Sequence, residues 1–198
     1  MADTKWQLLP PNWQRDSVFR PALLDVHRDI YRRFFHNDPC VNPQLGFHLH
    51  AYVRSTHWRA TLILTPWMMS RLLFPETDPQ ILIPDGWSGE DRSQSEYQIV
   101  GPSLKLGCCG NAMVANLNYH TQLGHYLIQP FAMGMRNFKT PREVFEIWNK
   151  LFYTHALRMQ RLSSKAVKKR LKQRQKRVDK RNQGQVARDG TFDQSPEN

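Results

Sequence analysis

A chain of 198 residues, 40% of them apolar, is long enough for one compact domain and an appendage. It carries no apolar run of about 18 residues, so no membrane-spanning helix is expected, and its three cysteines make neither a disulfide framework nor a C-x-x-C pair, which points to a reducing compartment, the cytosol. The net charge of +11 is uneven: residues 165–181 hold ten of the 28 Lys and Arg and only one acid, so the body is close to neutral and the charge belongs to a tail.

The opening residues, MADTKWQLLPPNW, lack a basic start followed by an apolar stretch, so no signal peptide is expected. Trp6 and Trp13 flank a double proline, which disfavours regular structure. Two tryptophans are costly to leave in water, so residues 1–16 read as an arm stapled onto the body.

Residues 17–35 predict a helix, with Ser17 as its cap. Phe19, Leu23, Val26, Ile30 and Phe34 form one apolar stripe, and Arg28, Asp29, Arg32 and Arg33 lie off it. In the next run Phe47, Leu49, Ala51 and Val53 alternate with His48, His50, Tyr52 and Arg54, the pattern of a half-buried strand. Residues 54–57 read as a hairpin turn and 58–65 as the returning strand. Thr65-Pro66 then suggests a helix start: threonine caps with its hydroxyl, and proline suits the first helical position. Met68, Met69, Leu72 and Leu73 recur at helical spacing until Pro75. Residues 65–75 therefore predict a short helix, apolar nearly all round, that must be covered by the rest of the chain or by a partner.

Residues 76–98, rich in Pro, Gly, Asp and Ser, predict a long connection in which Ile81, Leu82 and Ile83 make one apolar contact. Residues 104–110 are glycine-flanked and carry Cys108 and Cys109. Strands are predicted at 112–119 and 124–131, with a turn at 120–123. Thr140-Pro141-Arg142-Glu143 is a capping box. It opens a helix with Val144, Ile147, Trp148 and Leu151 on one stripe, expected to run to about residue 162. The segment 163–198 is basic and polar and is expected to be disordered. The resulting expectation is an α+β fold: an antiparallel sheet of about four strands packed by an N-terminal and a long C-terminal helix, with a basic C-terminal tail.

Little here suggests catalysis. His48 and His50 share a strand face and His57 lies across the turn, a set that suits zinc or nickel, but no neighbouring acid or cysteine completes a site. The expectation is that they line the wet face of the sheet and that no metal or cofactor is bound. Cys108 and Cys109 have only Lys105 nearby to activate a thiolate, so they read as small apolar residues at a crowded turn. No phosphate loop, Gly-x-Ser-x-Gly elbow or His-Glu-x-x-His helix is present, and no catalytic residue is assigned. The basic tail suits nucleic acid by charge, but it has no aromatic between 165 and 181 on which bases would stack. An anionic membrane surface or an acidic protein is equally allowed by charge alone.

The stretch TLILTPWMMSRLLFP at 61–75 resembles the signature of the HybE-type nickel–iron hydrogenase assembly chaperones, in which a strand runs into Thr-Pro-Trp-Met and an apolar turn ends in Phe-Pro. The later pattern is similar too: a strand ending near Tyr119, a second at 126–131, and a capped helix. The resemblance covers roughly residues 23–157 and makes 17–162 the chaperone domain. The tryptophan-bearing arm and the basic tail depart from the shorter members of the family. The resemblance implies a cytoplasmic, non-enzymatic maturation chaperone. Its implied partner is an immature hydrogenase subunit, first the small-subunit precursor with its twin-arginine signal peptide, with the large subunit as a further candidate. A rubredoxin-like protein that works with some relatives would here be a separate chain. The expected partner-binding residues are Thr65, Pro66, Trp67, Met68, Met69, Leu72 and Phe74, because flexible methionine and an apolar groove suit varied apolar ligands. Met133 and Met135 are further candidates. The alternative is a nucleic-acid-binding protein acting through the tail.

Overall fold

Two three-stranded meanders make one sheet. The first comprises β1 (His48–Arg54), β2 (Trp58–Leu64) and β3 (Met68–Pro75); the second comprises β4 (Ser103–Cys108), β5 (Asn111–His120) and β6 (Gly124–Met133). They meet through β3 and β6, giving the order β1-β2-β3-β6-β5-β4, antiparallel throughout. The computed structural model describes residues 5–108 and 111–150. The chain divides into two compact units, Met1–Val144 and Phe145–Asn198, and the sheet belongs to the first. A helix occupies 141–150. The rest of the expected C-terminal helix, the basic tail and Cys109 lie outside the described residues.

The sheet has six strands rather than about four, and one of the two added is β3, where helical spacing predicts a helix. A strand flanked by β2 and β6 is buried on both faces, so its sequence is apolar almost without a break and fits either period. Its alternate residues divide between two cores. Met68, Leu72 and Phe74 join the first, and Leu73 joins the second. Thr65 and Pro66 serve a tight turn instead of a helix start. The Thr65 hydroxyl accepts the Met68 N–H at 3.1 Å, the bond an N-cap would make, while the Thr65 N–H donates to the Met68 carbonyl at 2.9 Å and closes a hairpin. Proline at the second position of a turn satisfies the same φ as proline at the start of a helix. The other addition, β4, pairs with β5 from Ser103 opposite Asn116 to Cys108 opposite Asn111.

Across one face lies α1 (Asp16–Ile30), whose Phe19, Leu23, Val26 and Ile30 are buried as the stripe predicts. No side chain caps it; Arg15, not Ser17, precedes its first turn. At its end the backbone widens into a π-turn, Tyr31–Phe35. The extra residue per turn swings Phe34 off the stripe, leaving it 49% exposed, and brings Phe35 inward. An irregularity in β1 has a similar effect. Ala51 adopts φ +50° and the register shifts between His50 and Val53. Tyr52 and Arg54 are thereby turned toward α1, where each reaches Asp16, and Val53 toward solvent, the reverse of simple alternation.

The other face is covered by the N-terminal arm and by the 76–102 connection, which bring Trp6, Ile81, Ile83 and Trp87 onto Leu73, Ala115, Leu117 and Leu127. Within the connection a short helix, α2 (Gly89–Ser93), is capped by Ser88. Asn118 holds the end of the connection through the carbonyls of Gln98 and Ile99 at 2.9 and 2.8 Å. The arm is indeed stapled down: Trp6 is 6% exposed and donates its indole N–H to the Ile81 carbonyl at 2.7 Å. Fully buried Arg59 anchors the following residues. It pairs with Glu76 at 2.8 Å, donates to the Trp13 carbonyl at 2.9 Å and lies over the Phe19 ring.

Candidate functional site

The β2–β3 turn places Pro66 and Trp67 beneath the π-turn that ends α1. Both turn carbonyls are taken by flanking segments: Asn42 N–H donates to Pro66 at 2.8 Å and Gly134 N–H to Trp67 at 3.2 Å. The Trp67 ring is 4% exposed. Four rings surround it: Phe35 at 4.7 Å and Tyr31 at 6.2 Å, both nearly parallel to it, Phe47 at 6.1 Å and edge-on, and His27 at 6.3 Å. All seven expected binding residues are buried. Thr65, Met68, Leu72 and Phe74 are at 0% exposure and Met69 is at 2%; Pro66 is buried with them. Trp67, Met68, Leu72 and Phe74 share the core beneath α1, and Met69, the alternate residue of the strand, is not part of that core. Of the two further methionines, Met135 is buried and Met133, opposite Met68 at the end of β6, is half-exposed.

Among the described residues, two polar atoms in this cluster have no hydrogen-bond partner, the Trp67 indole N–H and His27 Nε2. His27 Nδ1 donates to the Leu23 carbonyl at 2.9 Å, which leaves Nε2 as an acceptor in the neutral ring. Full burial pushes the His27 pKa down to about 4. A buried unmet donor and acceptor each cost about 1–3 kcal/mol, so the packed apolar surface around them must offset that cost. No motif in the sequence marks His27, which lies on the helix stripe where an apolar residue is expected.

Beside the π-turn is a shallow cleft lined by Arg33, Phe34, Arg92, Tyr97 and His120 among others. Phe34 stacks on Tyr97 at 5.8 Å. The Tyr97 hydroxyl is enclosed 3.5 Å from that of Tyr126, and this desolvation raises its pKa to about 12. Burial lowers the His120 pKa, partly offset by Asp29. Among the described residues no group of three or more His, Cys, Asp or Glu is placed to hold a metal ion. His48 and His50 face away from α1, and His48 is engaged with the Leu45 carbonyl at 2.9 Å. No helix among the described residues is long and apolar enough to cross a membrane.

The class these features define is an α+β protein with an antiparallel six-stranded sheet whose central hairpin turn is closed by a ring cluster. The chain belongs to the family described as NiFe-hydrogenase assembly, chaperone, HybE, whose family model matches residues 19–183. The matched region contains the whole sheet and the Trp67 hairpin; residues 1–18 precede it. Among solved structures, the solution structure of HybE from Escherichia coli is similar to this chain, at 16% identity and a TM-score of 0.41, over 72% of this chain and 74% of that one. No curated protein matches the chain.

Proposed function

We propose that the protein is a cytoplasmic, non-enzymatic chaperone that holds an immature nickel–iron hydrogenase subunit until assembly is complete. The first candidate is the small-subunit precursor with its twin-arginine signal peptide, and the large subunit is the second. The observation that carries this reading is the family match over residues 19–183. The contact runs through the hairpin residues Thr65, Pro66, Trp67, Met68, Met69, Leu72 and Phe74. Because Trp67 is buried under Tyr31 and Phe35, the π-turn Tyr31–Phe35 swings away to present it first, and the deeper residues follow only if α1 also lifts from Phe74. Three features support that hinge: the irregular backbone, a half-exposed Phe34, and the two unpaired polar atoms underneath, which opening would hydrate.

The test is a tagged pull-down from cells expressing a hydrogenase operon, with Trp67→Phe, Trp67→Ala and a version lacking residues 163–198 in parallel. The reading predicts recovery of a subunit precursor by the parent, by Trp67→Phe and by the tail-deleted chain, and its loss with a still-folded Trp67→Ala. Unchanged recovery with folded Trp67→Ala would remove the hairpin from the contact. RNA recovered only when the tail is present would replace the chaperone reading with a nucleic-acid one.

A further inference from the structure

Residues 6–9 belong to no regular element, yet they are held as a bound peptide is held. They pass over the β5–β6 turn, with Trp6 in the core on one face of the sheet and Leu9 in the core on the other. Both backbone groups of Gln7 are used. Its carbonyl accepts the His125 N–H at 2.7 Å, and its N–H donates to His125 Nδ1 at 2.8 Å. His125 Nε2 meets the Trp87 carbonyl at 3.0 Å, so the neutral ring with its proton on Nε2 satisfies both contacts. The Gln7 side-chain oxygen accepts the Tyr119 hydroxyl at 2.8 Å. The floor is shaped to this backbone at Gly124, where a Cβ would lie 2.2 Å from the Gln7 carbonyl oxygen; Gly89 makes room for the Gln7 side chain, its Cβ position lying 2.1 Å from Gln7 Nε2.

Every group that receives the arm lies within 19–183, the family-matched domain, whereas the arm precedes it. We infer that this groove is a peptide-receiving site of the domain and that the arm is its displaceable resident. The incoming partner is a short apolar segment with an aromatic residue in the place of Trp6. That residue must be followed by one whose backbone N–H and carbonyl can both meet His125. On the reading proposed above, the segment belongs to the immature subunit, and the arm keeps the groove closed until the subunit arrives. A tethered competitor is present at millimolar effective concentration, so it suppresses weak ligands without abolishing strong ones.

The experiment uses the full chain and a fluorescent synthetic peptide with the sequence of residues 5–11. Trp6→Ala loosens the resident arm, and Gln7→Pro, which removes both the N–H to His125 and the side-chain acceptor of Tyr119, does so by a second route. Anisotropy should show saturable peptide binding to either variant at least about tenfold tighter than to the parent. Binding should disappear when the peptide carries alanine in place of tryptophan, and small-subunit precursor should compete with it. Folded variants that bind no peptide would overturn the inference, and so would variants that do not fold, since the arm would then be permanent core. Peptide binding that the precursor does not reduce would overturn the assignment of the partner. The peptide titration needs no hydrogenase, so its failure is distinct from failure of the pull-down.

Discussion

Trp6 and Trp67 are hidden almost equally, at 6% and 4% exposure, but by opposite means. Trp6 is tied from outside. Its N–H is satisfied by Ile81, and the next residue is bonded through His125 and Tyr119. The Trp67 side chain is enclosed by packing, and its indole N–H and the nearby His27 Nε2 have no partner among the described residues. Directional bonds give the arm a defined seat. Ring packing over unpaired polar atoms gives the hairpin a cover that carries an energetic cost the arm's seat does not.

Substitutions that break this contrast should differ widely in size. Trp67→Ala leaves a large cavity and should cost about 3–5 kcal/mol, read from urea denaturation. Acid should act next. The His27 pKa is about 4 in the folded chain against 6.5 for the free side chain, so the unfolded state takes up a proton first as the pH falls. The contribution of neutral His27 is fully present above about pH 6.5 and is lost progressively toward pH 4, on the order of 3 kcal/mol at about 1.4 kcal/mol per unit. His125, also lowered by burial, loses its contribution in the same direction. A His27→Leu chain should therefore show a shallower loss of stability in acid than the parent, and a parallel loss would remove His27 as its source.

Gly124→Ala combines φ +66° with a collision against Gln7. It should cost about 1–3 kcal/mol and raise hydrogen exchange at the arm while leaving that at Tyr31–Phe35 unchanged. Trp6→Phe forfeits a hydrogen bond to Ile81 and should cost about 1 kcal/mol beyond its lost packing. Trp67→Phe forfeits none and should carry no such excess, as paired thermal melts would show.

Much of the layout is legible in the chain. The α1 stripe, the β1–β2 hairpin, the β5–β6 hairpin and the stapled Trp6 all follow from period and from the cost of exposed aromatics. Half of the capping box is present: the Thr140 hydroxyl accepts the Glu143 N–H at 3.2 Å, while the Glu143 carboxylate reaches one residue past the cap, to the Lys139 N–H. What misleads is local ambiguity. Thr-Pro makes the same hydroxyl-to-N–H bond in a hairpin turn as at a helix start, so β3 reads as a helix until its neighbours are known. A π-turn and one left-handed alanine invert the expected facing of Phe34 and of Tyr52, and no residue type announces either. The motif residues 65–69 are readable as a family signature, but their burial beneath α1 is a tertiary fact. The polar device around Gln7, His125, Gly89 and Gly124 joins positions far apart in the chain, and no local pattern reveals it.

The most direct test of the account is hydrogen exchange on the full chain, alone and in complex with a hydrogenase small-subunit precursor. The complex should alter protection at Tyr31–Phe35 and at the residue 65–68 turn, as the cover gives way to the partner. A stable complex whose footprint leaves both segments unchanged would contradict it.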